Sequence, residues 1–429
     1  MSAVLATETH GLPAGAGPTT GASPLRRLVG PGLLVAVGYM DPGNWATDIA
    51  GGSSYRYALI SVVIAASLLG LLFQTLAARL AVATGEDLAQ LTARHLPVPV
   101  ARAAWLAGEL AIVATALAEL VGGAIALQLL FGLPFGAGLA FSALATLGVM
   151  VLSKGHPGVH EKIVNGLLAV VGLSFVALLL QSRPDFTQAA GDVARSGGLL
   201  HNREALLLAL GIVGATVMPH NLYLHSGLVA ERARGIAMPL RRRAMQLATR
   251  DTAVALGFAM LVNVAILAVA AASLGGRGPA VTSLAGAHAA LRLSLGAAAA
   301  LIFGAALYAA GQSSAITGVL AGRLLSRGFR GRESSTWVRG IATRLGAVIL
   351  ACLFVGAGGV ATPDSLLVFS QVILSLALPF ALVPLVLLAS RPALMREFSL
   401  PPAVRHGAAA LTAGVALLDM GLLLVQFGG

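Results

Sequence analysis

A polar stretch at residues 38–44, GYMDPGN, interrupts the first long apolar segment of the chain. Proline removes a backbone donor, so a membrane helix should break at Pro42. In lipid such breaks are tolerated where the backbone lines a cavity, and there the freed groups can bind ions. Asp41 is a carboxylate inside the apolar segment, and such residues usually mark an ion or proton path. With the side-chain oxygen of Asn44 turned toward the same point, the stretch predicts a cation site, and Asp41 could also cap the half-helix that follows.

A second break, GATVMPHN at residues 214–221, interrupts the sixth apolar segment. Met218 directly precedes the proline of this break. Its thioether is a soft donor, which favours later transition metals over Mg²⁺ and Ca²⁺. Together with the oxygens of the first break, it predicts a mixed oxygen–sulfur site for Mn²⁺, Fe²⁺, Co²⁺ or Cd²⁺. The alternative is that Met218 only fills the core. We interpret His220 as a proton-handling or orienting group rather than a ligand.

The composition is typical of a polytopic helical membrane protein. The chain has 429 residues, of which 57% are hydrophobic and 10% charged, and its mean hydropathy is +0.87. The single cysteine, Cys352, excludes a disulfide framework and a cysteine-based metal cluster. Long apolar runs recur from residue 30 to the end. We predict eleven apolar segments, at 30–52, 57–80, 102–131, 134–152, 161–181, 204–230, 250–274, 294–322, 341–360, 366–389 and 405–427.

Most of the 28 Lys and Arg residues fall in alternate linkers between these segments. The positive-inside rule then places the N-terminus in the cytoplasm and the C-terminus outside. This bias explains the net charge of +11 without a nucleic-acid partner. Residues 1–27 are predicted to form a disordered cytoplasmic tail, because the stretch to about Thr20 consists mainly of Gly, Ala, Thr and Pro. It has neither the basic start nor the apolar region of a signal peptide. A single transmembrane domain at 28–429 follows.

The two breaks fall in segments one and six, so the domain divides into two halves of five segments. The first half spans 28–181 and the second 204–390, and helix 405–427 lies outside the repeat. Because five is odd, the halves insert with opposite orientation. In this inverted-repeat plan, matched broken helices mark a binding site near the membrane midplane.

Further polar residues lie at membrane depth. Glu119 is a candidate proton relay, and the alternative is an ion pair with a buried arginine. His225 follows His220 by five residues, so the two would not share a helix face. This spacing, and the absence of an H-E-x-x-H motif, weakens the alternative of an intramembrane zinc enzyme. The run GQSS at 311–314 could face the pathway or join helices.

The DPGN run at 41–44 and the MPH run at 218–220 together resemble the paired signature of the NRAMP family (natural resistance-associated macrophage proteins), which includes bacterial manganese transporters. The resemblance extends over about 28–400 and includes QTLAAR at 74–79 and GQSS at 311–314. It implies an all-α, LeuT-type fold with eleven transmembrane helices, of which helices 1 and 6 are broken. It also implies inward transport of Mn²⁺ and Fe²⁺ with protons across the bacterial inner membrane.

The resemblance carries a ligand set and a proton route with it. The implied metal ligands are the side chains of Asp41, Asn44 and Met218 and the carbonyl of Ala215. The implied proton pathway comprises Asp41, Glu119, His220, Arg339 and Arg344. No resident cofactor is expected, since the metal ion and the proton are substrates.

Three positions depart from the family pattern. Ala116 stands where the family usually has an acid, and Gly340 where it usually has the second of two adjacent arginines. Losing only one of these would leave an unpaired buried charge, so their joint absence predicts altered or loosened proton coupling. Ala377 stands where a glutamine usually precedes Leu-Pro, which removes an oxygen that could close over the metal. Affinity or selectivity should shift accordingly.

We therefore predict a secondary transporter, not an enzyme, that imports divalent transition metals by alternating access, with Mn²⁺ favoured. Its partners would be the metal ion, protons and the lipid bilayer, and the sequence predicts a monomer. Two alternatives stay open: a magnesium or broad divalent carrier, and a membrane receptor that binds metal without transporting it.

Overall fold

The structure, a computed structural model, describes residues 24–152, 158–276, 279–331, 336–356 and 362–427. Every regular element within these ranges is helical. In chain order the α-helices are α1 (Pro31–Ala36), α2 (Pro42–Tyr55), α3 (Ile60–Thr84), α4 (Leu88–His95), α5 (Val98–Phe131), α6 (Phe135–Leu152), α7 (Val159–Ser182), α8 (Phe186–Ala194), α9 (Arg203–Thr216), α10 (Pro219–Ala233), α11 (Met238–Ser273), α12 (Leu284–Leu295), α13 (Ala297–Arg330), α14 (Thr336–Gly356), α15 (Pro363–Ala377), α16 (Pro379–Ala389), α17 (Pro392–Met395) and α18 (Pro402–Phe427).

Nine stretches of the described chain are long and apolar enough to cross a membrane. They coincide with predicted segments two to ten, and two of them join the helix pairs α9–α10 and α15–α16. The first predicted segment is divided into α1, a 3-10 turn at Val37–Met40, and α2. The last predicted segment lies within α18. The all-α membrane architecture expected from the apolar pattern is therefore confirmed.

Both predicted breaks are present, and a proline begins the helix that follows each of them. These residues are Pro42 of α2 and Pro219 of α10. Proline suits the first helical position because its missing N–H would have no intrahelical partner there. A third proline, Pro379, begins α16 and divides the tenth segment just after Ala377. The sequence analysis did not predict this third interruption.

Helices α5 and α13 form the centre of the bundle, where they pack extensively against each other. Small residues permit this approach: a Cβ added to Gly311 of α13 would lie 3.2 Å from the carbonyl oxygen of Glu119 in α5. Gly122 of α5 lies so close to Pro42 that any side chain there would clash. Close contacts at small residues are how helices associate in lipid. The central helices thereby hold the first break in place.

The predicted tail at 1–27 lies mostly outside the described residues. Its last residues belong to a 3-10 turn at Pro24–Leu28, in which Leu25 and Leu28 are buried. These two leucines pack in an apolar cluster with residues of α3 and α10. The end of the predicted tail is therefore part of the folded bundle.

The start of α1 is held by Asp251 of α11, whose carboxylate oxygens accept the backbone N–H groups of Gly30 and Gly32 at 2.9 and 2.7 Å. The first amides of a helix have no intrahelical partner, so this side chain acts as a cap from a distant helix. We expect Asp251→Ala to cost about 1–2 kcal/mol, since both amides lose their acceptor. Thermal unfolding in detergent measures this, with Asp251→Asn, which keeps an acceptor, as the milder control. An unchanged melting temperature for Asp251→Ala would contradict the capping role.

Candidate metal site

The first break leaves one oxygen of Asp41 free. Asp41 is extended (φ −72°, ψ 167°) between the 3-10 turn and α2. Its Oδ1 accepts the backbone N–H and the side-chain amide of Asn44 at 2.9 and 2.8 Å. Its Oδ2 is buried and has no hydrogen-bond partner among the described residues. One oxygen therefore caps α2 while the other is available to a cation, so the two predicted roles are compatible.

The second break consists of Val217 and Met218, which are both extended between α9 and α10. In a continuous helix the carbonyl of Ala215 would accept the N–H of residue 219. That residue is Pro219, which has no N–H, so the carbonyl is released by the break. Met218 is fully buried at the residue before α10 and makes no side-chain cap there. The break thus offers a carbonyl oxygen and a thioether.

The two breaks lie face to face, as the sequence predicts. The hydroxyl of Thr216 at the end of α9 donates to Oδ1 of Asn44 at 3.4 Å. On the other side of the breaks, Gly38 lies so close to the side chain of Asn221 that a Cβ would clash. Helices α2 and α9 also pack against each other. The structure therefore brings the predicted oxygen and sulfur donors into one region.

Met218 packs in a small buried cluster with alanines of α5 and two residues of α15, Leu374 and Ala377. Ala377 is 4% exposed. It is the position at which the family resemblance leads us to expect glutamine. A glutamine there would place an amide beside the thioether, whereas alanine leaves only apolar surface.

A different amide of α15, that of Gln371, lies over the first break. Its side chain is so close to Gly43 that a Cβ on that residue would clash. The Nε2 atom of Gln371 donates to Ser370 at 3.1 Å, while Oε1 is buried without a partner. The sequence analysis did not identify this residue. α15 therefore supplies a free amide oxygen next to the start of α2.

The site is closed to solvent. Asp41 and Met218 are fully buried and Asn44 is 1% exposed. An ion could enter or leave only after part of the bundle moves, which is what alternating access requires.

Glu119 forms a buried ion pair, the alternative considered for it from the sequence. Its Oε2 accepts Nη1 of Arg344 at 2.9 Å, and its Oε1 accepts the hydroxyl of Ser314 at 2.8 Å. The two charged side chains are 0% and 2% exposed. Glu119 lies one turn before Gly122, the residue in contact with Pro42. The pair is therefore adjacent to the first break.

The run at 311–314 joins α13 to two other helices, the second of the two purposes considered for it. Ser314 contacts the buried carboxylate of Glu119. Gln312 instead joins α13 to α6, because it donates to the hydroxyl of Ser142 at 2.8 Å and accepts the hydroxyl of Thr146 at 3.0 Å.

Arg339 is placed apart from the Glu119 pair. Its guanidinium contacts the carboxylate of Glu109, which also accepts the indole N–H of Trp105 at 3.0 Å. Glu109 lies about three turns before Glu119 on α5. Of the predicted proton-pathway residues, Arg344 therefore pairs with Glu119, whereas Arg339 pairs with Glu109, which was not predicted.

The two family positions that lack charge, Ala116 and Gly340, lie in apolar surroundings. Ala116 is 2% exposed within the main apolar core. A Cβ on Gly340 would lie 2.7 Å from the terminal methyl of Met150 and 3.6 Å from Val319. The neighbours that the structure shows for the two positions are therefore apolar.

The two histidines of α10 have different neighbours. Nδ1 of His220 lies 3.3 Å from the hydroxyl of Thr115. His225 lies 3.0 Å from Oε1 of Gln74 and 3.3 Å from the hydroxyl of Thr252. Among the described residues, no group of three or more His, Cys, Asp or Glu is placed to hold a metal. This part of the chain gives no support to a zinc enzyme.

Two further buried carboxylates within the predicted apolar segments were not identified from the sequence. Asp48 of α2 is 2% exposed and Asp419 of α18 is 7% exposed. Asp419 accepts the hydroxyl of Ser375, and one oxygen of each carboxylate has no partner. The signal that identified Asp41, an acidic residue inside an apolar segment, applies to both of them.

The family model described as natural resistance-associated macrophage protein-like matches residues 32–425. This chain belongs to that family. Membership confirms the resemblance drawn from the paired motifs at 41–44 and 218–220.

Other Nramp proteins align with nearly the whole chain. "Divalent metal cation transporter MntH 1" of Pseudomonas aeruginosa is 45% identical over 412 residues, covering 95% of this chain and 94% of the relative. A solved structure of the Eremococcus coleocola manganese transporter has a TM-score of 0.85 at 32% identity, covering 96% of this chain and 88% of that one. A nucleobase-cation-symport-1 family transporter shares the fold alone, with a TM-score of 0.55 at 16% identity. These matches confirm the predicted LeuT-type fold.

Proposed function

We propose that this chain is a secondary transporter that imports divalent transition metal ions, with Mn²⁺ favoured, through the site between its two breaks. One observation carries the proposal: the buried Oδ2 of Asp41, which has no partner among the described residues, lies at a break that contacts the break containing the buried Met218. An unpaired carboxylate at membrane depth is costly, and a cation is the partner that removes this cost. The names of the relatives, divalent metal cation and manganese transporters, support the same reading.

Selectivity follows from the mixed donor set. Asp41, Asn44 and the carbonyl of Ala215 supply oxygen, which any divalent cation accepts. Met218 supplies sulfur, which stabilises Mn²⁺, Fe²⁺, Co²⁺ or Cd²⁺ in preference to Mg²⁺ and Ca²⁺. The competing function is that of a magnesium carrier. It requires that the thioether of Met218 contribute nothing to metal binding.

We place the N-terminus in the cytoplasm of the inner membrane and treat the monomer as the transporting unit. Helix α1 then leads from the inner side to the site, and α9 leads to it from the outer side. On the inner side Arg327 of α13 contacts Glu231 of α10, and lies 3.7 Å from Asp87 beside α4. Opening the site inward would separate these helices, so the ion pairs favour the closed state.

Proton movement is proposed to accompany metal movement with loosened coupling. The Glu119–Arg344 pair beside the first break remains available for proton transfer together with Asp41 and His220. The apolar surroundings of Ala116 and Gly340 support the loss of a second acid–base step at those positions. Arg339 interacts with Glu109 instead. Proton flux in a fixed ratio to metal flux would contradict this part of the proposal.

Uptake of Mn²⁺ into proteoliposomes in excess Mg²⁺, with the internal pH read in the same vesicles, tests the function. We expect Mn²⁺ to enter despite Mg²⁺. Met218→Ala should reduce the preference for Mn²⁺ over Mg²⁺ by about tenfold or more, which corresponds to about 1.4 kcal/mol. The reason is that alanine removes the only donor that disfavours Mg²⁺.

Met395, a fully buried methionine at the last position of α17, offers a matched control. Met395→Ala removes the same side chain from an apolar cluster and should keep the metal preference. If excess Mg²⁺ blocks Mn²⁺ entry in the unmodified protein, the magnesium carrier would be favoured. Tight Mn²⁺ binding without any uptake would favour the receptor.

A further inference from the structure

Asp48 is a buried carboxylate that no described residue neutralises. It is 2% exposed on α2, and its Oδ2 is enclosed without a partner. None of the ion pairs formed by described residues includes it. Buried polar groups in proteins are almost always hydrogen-bonded, and an unpaired acid at membrane depth is a functional residue by default.

Asp48 shares a helix face with two predicted ligands. It follows Asn44 by four residues and Asp41 by seven, and both spacings return to the same side of an α-helix. The rise along the axis is about 6 Å from Asn44 and about 10 Å from Asp41. Helix α2 leads away from the break toward what is the outer side in the proposed orientation. Asp48 therefore lies on the outer approach to the site.

The next turn of α2 on this face is sealed by apolar side chains. A Cβ on Gly51 would lie 3.3 Å from Leu59 and 3.7 Å from both Ile212 and Leu267. These three side chains are at most 1% exposed and belong to one cluster. Asp48 lies between this seal and the metal site. A cation that passes the seal meets its carboxylate first.

We propose that Asp48 is a cation-binding residue that holds an incoming divalent ion between the outer seal and the site of Asp41 and Met218. This inference rests on the proposed transport function. The ligand chemistry at Asp48 is that of a carboxylate and water, with no thioether in its turn of α2. Such a donor does not distinguish Mn²⁺ from Mg²⁺ or Ca²⁺. Asp48 then serves the entry of the cation, whereas Met218 serves the selection of Mn²⁺ over Mg²⁺.

Asp48→Asn tests the role in transport. We expect about tenfold slower Mn²⁺ uptake at low Mn²⁺, through a raised KM, because the carboxylate no longer concentrates cations in front of the site. The preference for Mn²⁺ over Mg²⁺ should stay unchanged. The melting temperature should not fall, because a carboxylate without partners stabilises nothing that asparagine would lose. Asp48→Glu, which keeps the charge, should stay within about twofold of the unmodified protein.

Asp364→Asn is the matched control for loss of a negative charge on the same side of the bundle. Asp364 lies in the first turn of α15 and accepts the N–H of Leu284 at 2.8 Å, an acceptor role that asparagine retains. The backbone N–H of Val281, three residues before Leu284, donates to the hydroxyl of Ser53 near the end of α2. Asp364 and the end of α2 therefore lie at the same end of the bundle. Asp364→Asn should leave the KM unchanged. Equal KM values for the Asp48 and Asp364 variants, or a fall in melting temperature with loss of metal preference in Asp48→Asn, would overturn the proposal.

A binding measurement separates this inference from the proposed function. In the Asp41→Asn background, Mn²⁺ electron paramagnetic resonance should detect one weak site, from which Mg²⁺ and Ca²⁺ displace Mn²⁺ equally well. The double variant Asp41→Asn/Asp48→Asn should lack it. Identical binding by the two variants would overturn the role of Asp48. Undiminished Mn²⁺ uptake by Asp41→Asn alone would instead contradict the proposed function.

Discussion

Asp41→Asn should abolish metal uptake while the protein stays folded. Asparagine keeps an oxygen that can cap α2 through the N–H of Asn44, so the break is preserved. The amide nitrogen of asparagine, however, takes the place of the free Oδ2. It carries hydrogens and cannot bind a cation, and the negative charge is lost. Replacing residues that only orient metal ligands already costs about 10–100-fold, so for a ligand we expect a loss of more than about 100-fold.

The measurement is initial Mn²⁺ uptake in proteoliposomes, with the melting temperature recorded on the same preparations. Asp41→Ala provides the comparison, because it removes both the cap and the ligand and should also lower the melting temperature. Uptake by Asp41→Asn within about threefold of the unmodified protein would mean that the free oxygen is not a ligand.

Arg344→Met should destabilise the bundle strongly. Arg344 is 2% exposed and pairs with Glu119, which is fully enclosed. Removing one partner leaves a buried charge uncompensated, at a cost of about 3–5 kcal/mol. The double variant Arg344→Met/Glu119→Gln should recover most of this loss, since replacing a whole buried pair is often nearly neutral.

Thermal unfolding of the two variants in detergent tests this expectation. Arg339→Met is the matched control, because its partner Glu109 is 27% exposed and can be hydrated when unpaired. Its cost should be about 1 kcal/mol or less. A double variant no more stable than Arg344→Met would show that the ion pair is not the source of the effect. Proton flux through the folded double variant would then report whether Glu119 is needed as a relay.

The two breaks and the carboxylate beside the first of them were predictable because their causes are local. Proline has no N–H to donate, so at Pro42 and Pro219 a carbonyl of the preceding turn loses its intrahelical partner however the chain packs. The carboxylate of Asp41 beside such a break is therefore visible in the sequence. That the two breaks face each other required the further inference of an inverted repeat, and the contact between Thr216 and Asn44 agrees with it.

The partners of the buried charges were not predictable in the same way. Arg344 lies 225 residues from Glu119, and Arg339 lies 230 residues from Glu109. Which acid each arginine reaches depends on how α14 is set against α5, and nothing in the local sequence of either helix specifies this. The same holds for Gln371, whose position over Gly43 depends on the packing of α15 against α2.

Asp48 was missed for a different reason. Its apolar context satisfies the rule that identified Asp41, and a search for every acidic residue within the apolar segments would have found it. What the sequence could not show is that Asp48 has no basic partner among the described residues and that Leu59 closes the turn beyond it. Both depend on how α2 packs against the neighbouring helices.

X-ray absorption spectroscopy of Mn²⁺ bound to the purified protein tests whether the metal is coordinated by both oxygen and sulfur. We predict one sulfur scatterer among oxygen neighbours in the unmodified protein. The sulfur should disappear in Met218→Ala and remain in Met395→Ala. A shell of oxygen and nitrogen alone, identical in the unmodified protein and in Met218→Ala, would contradict the account.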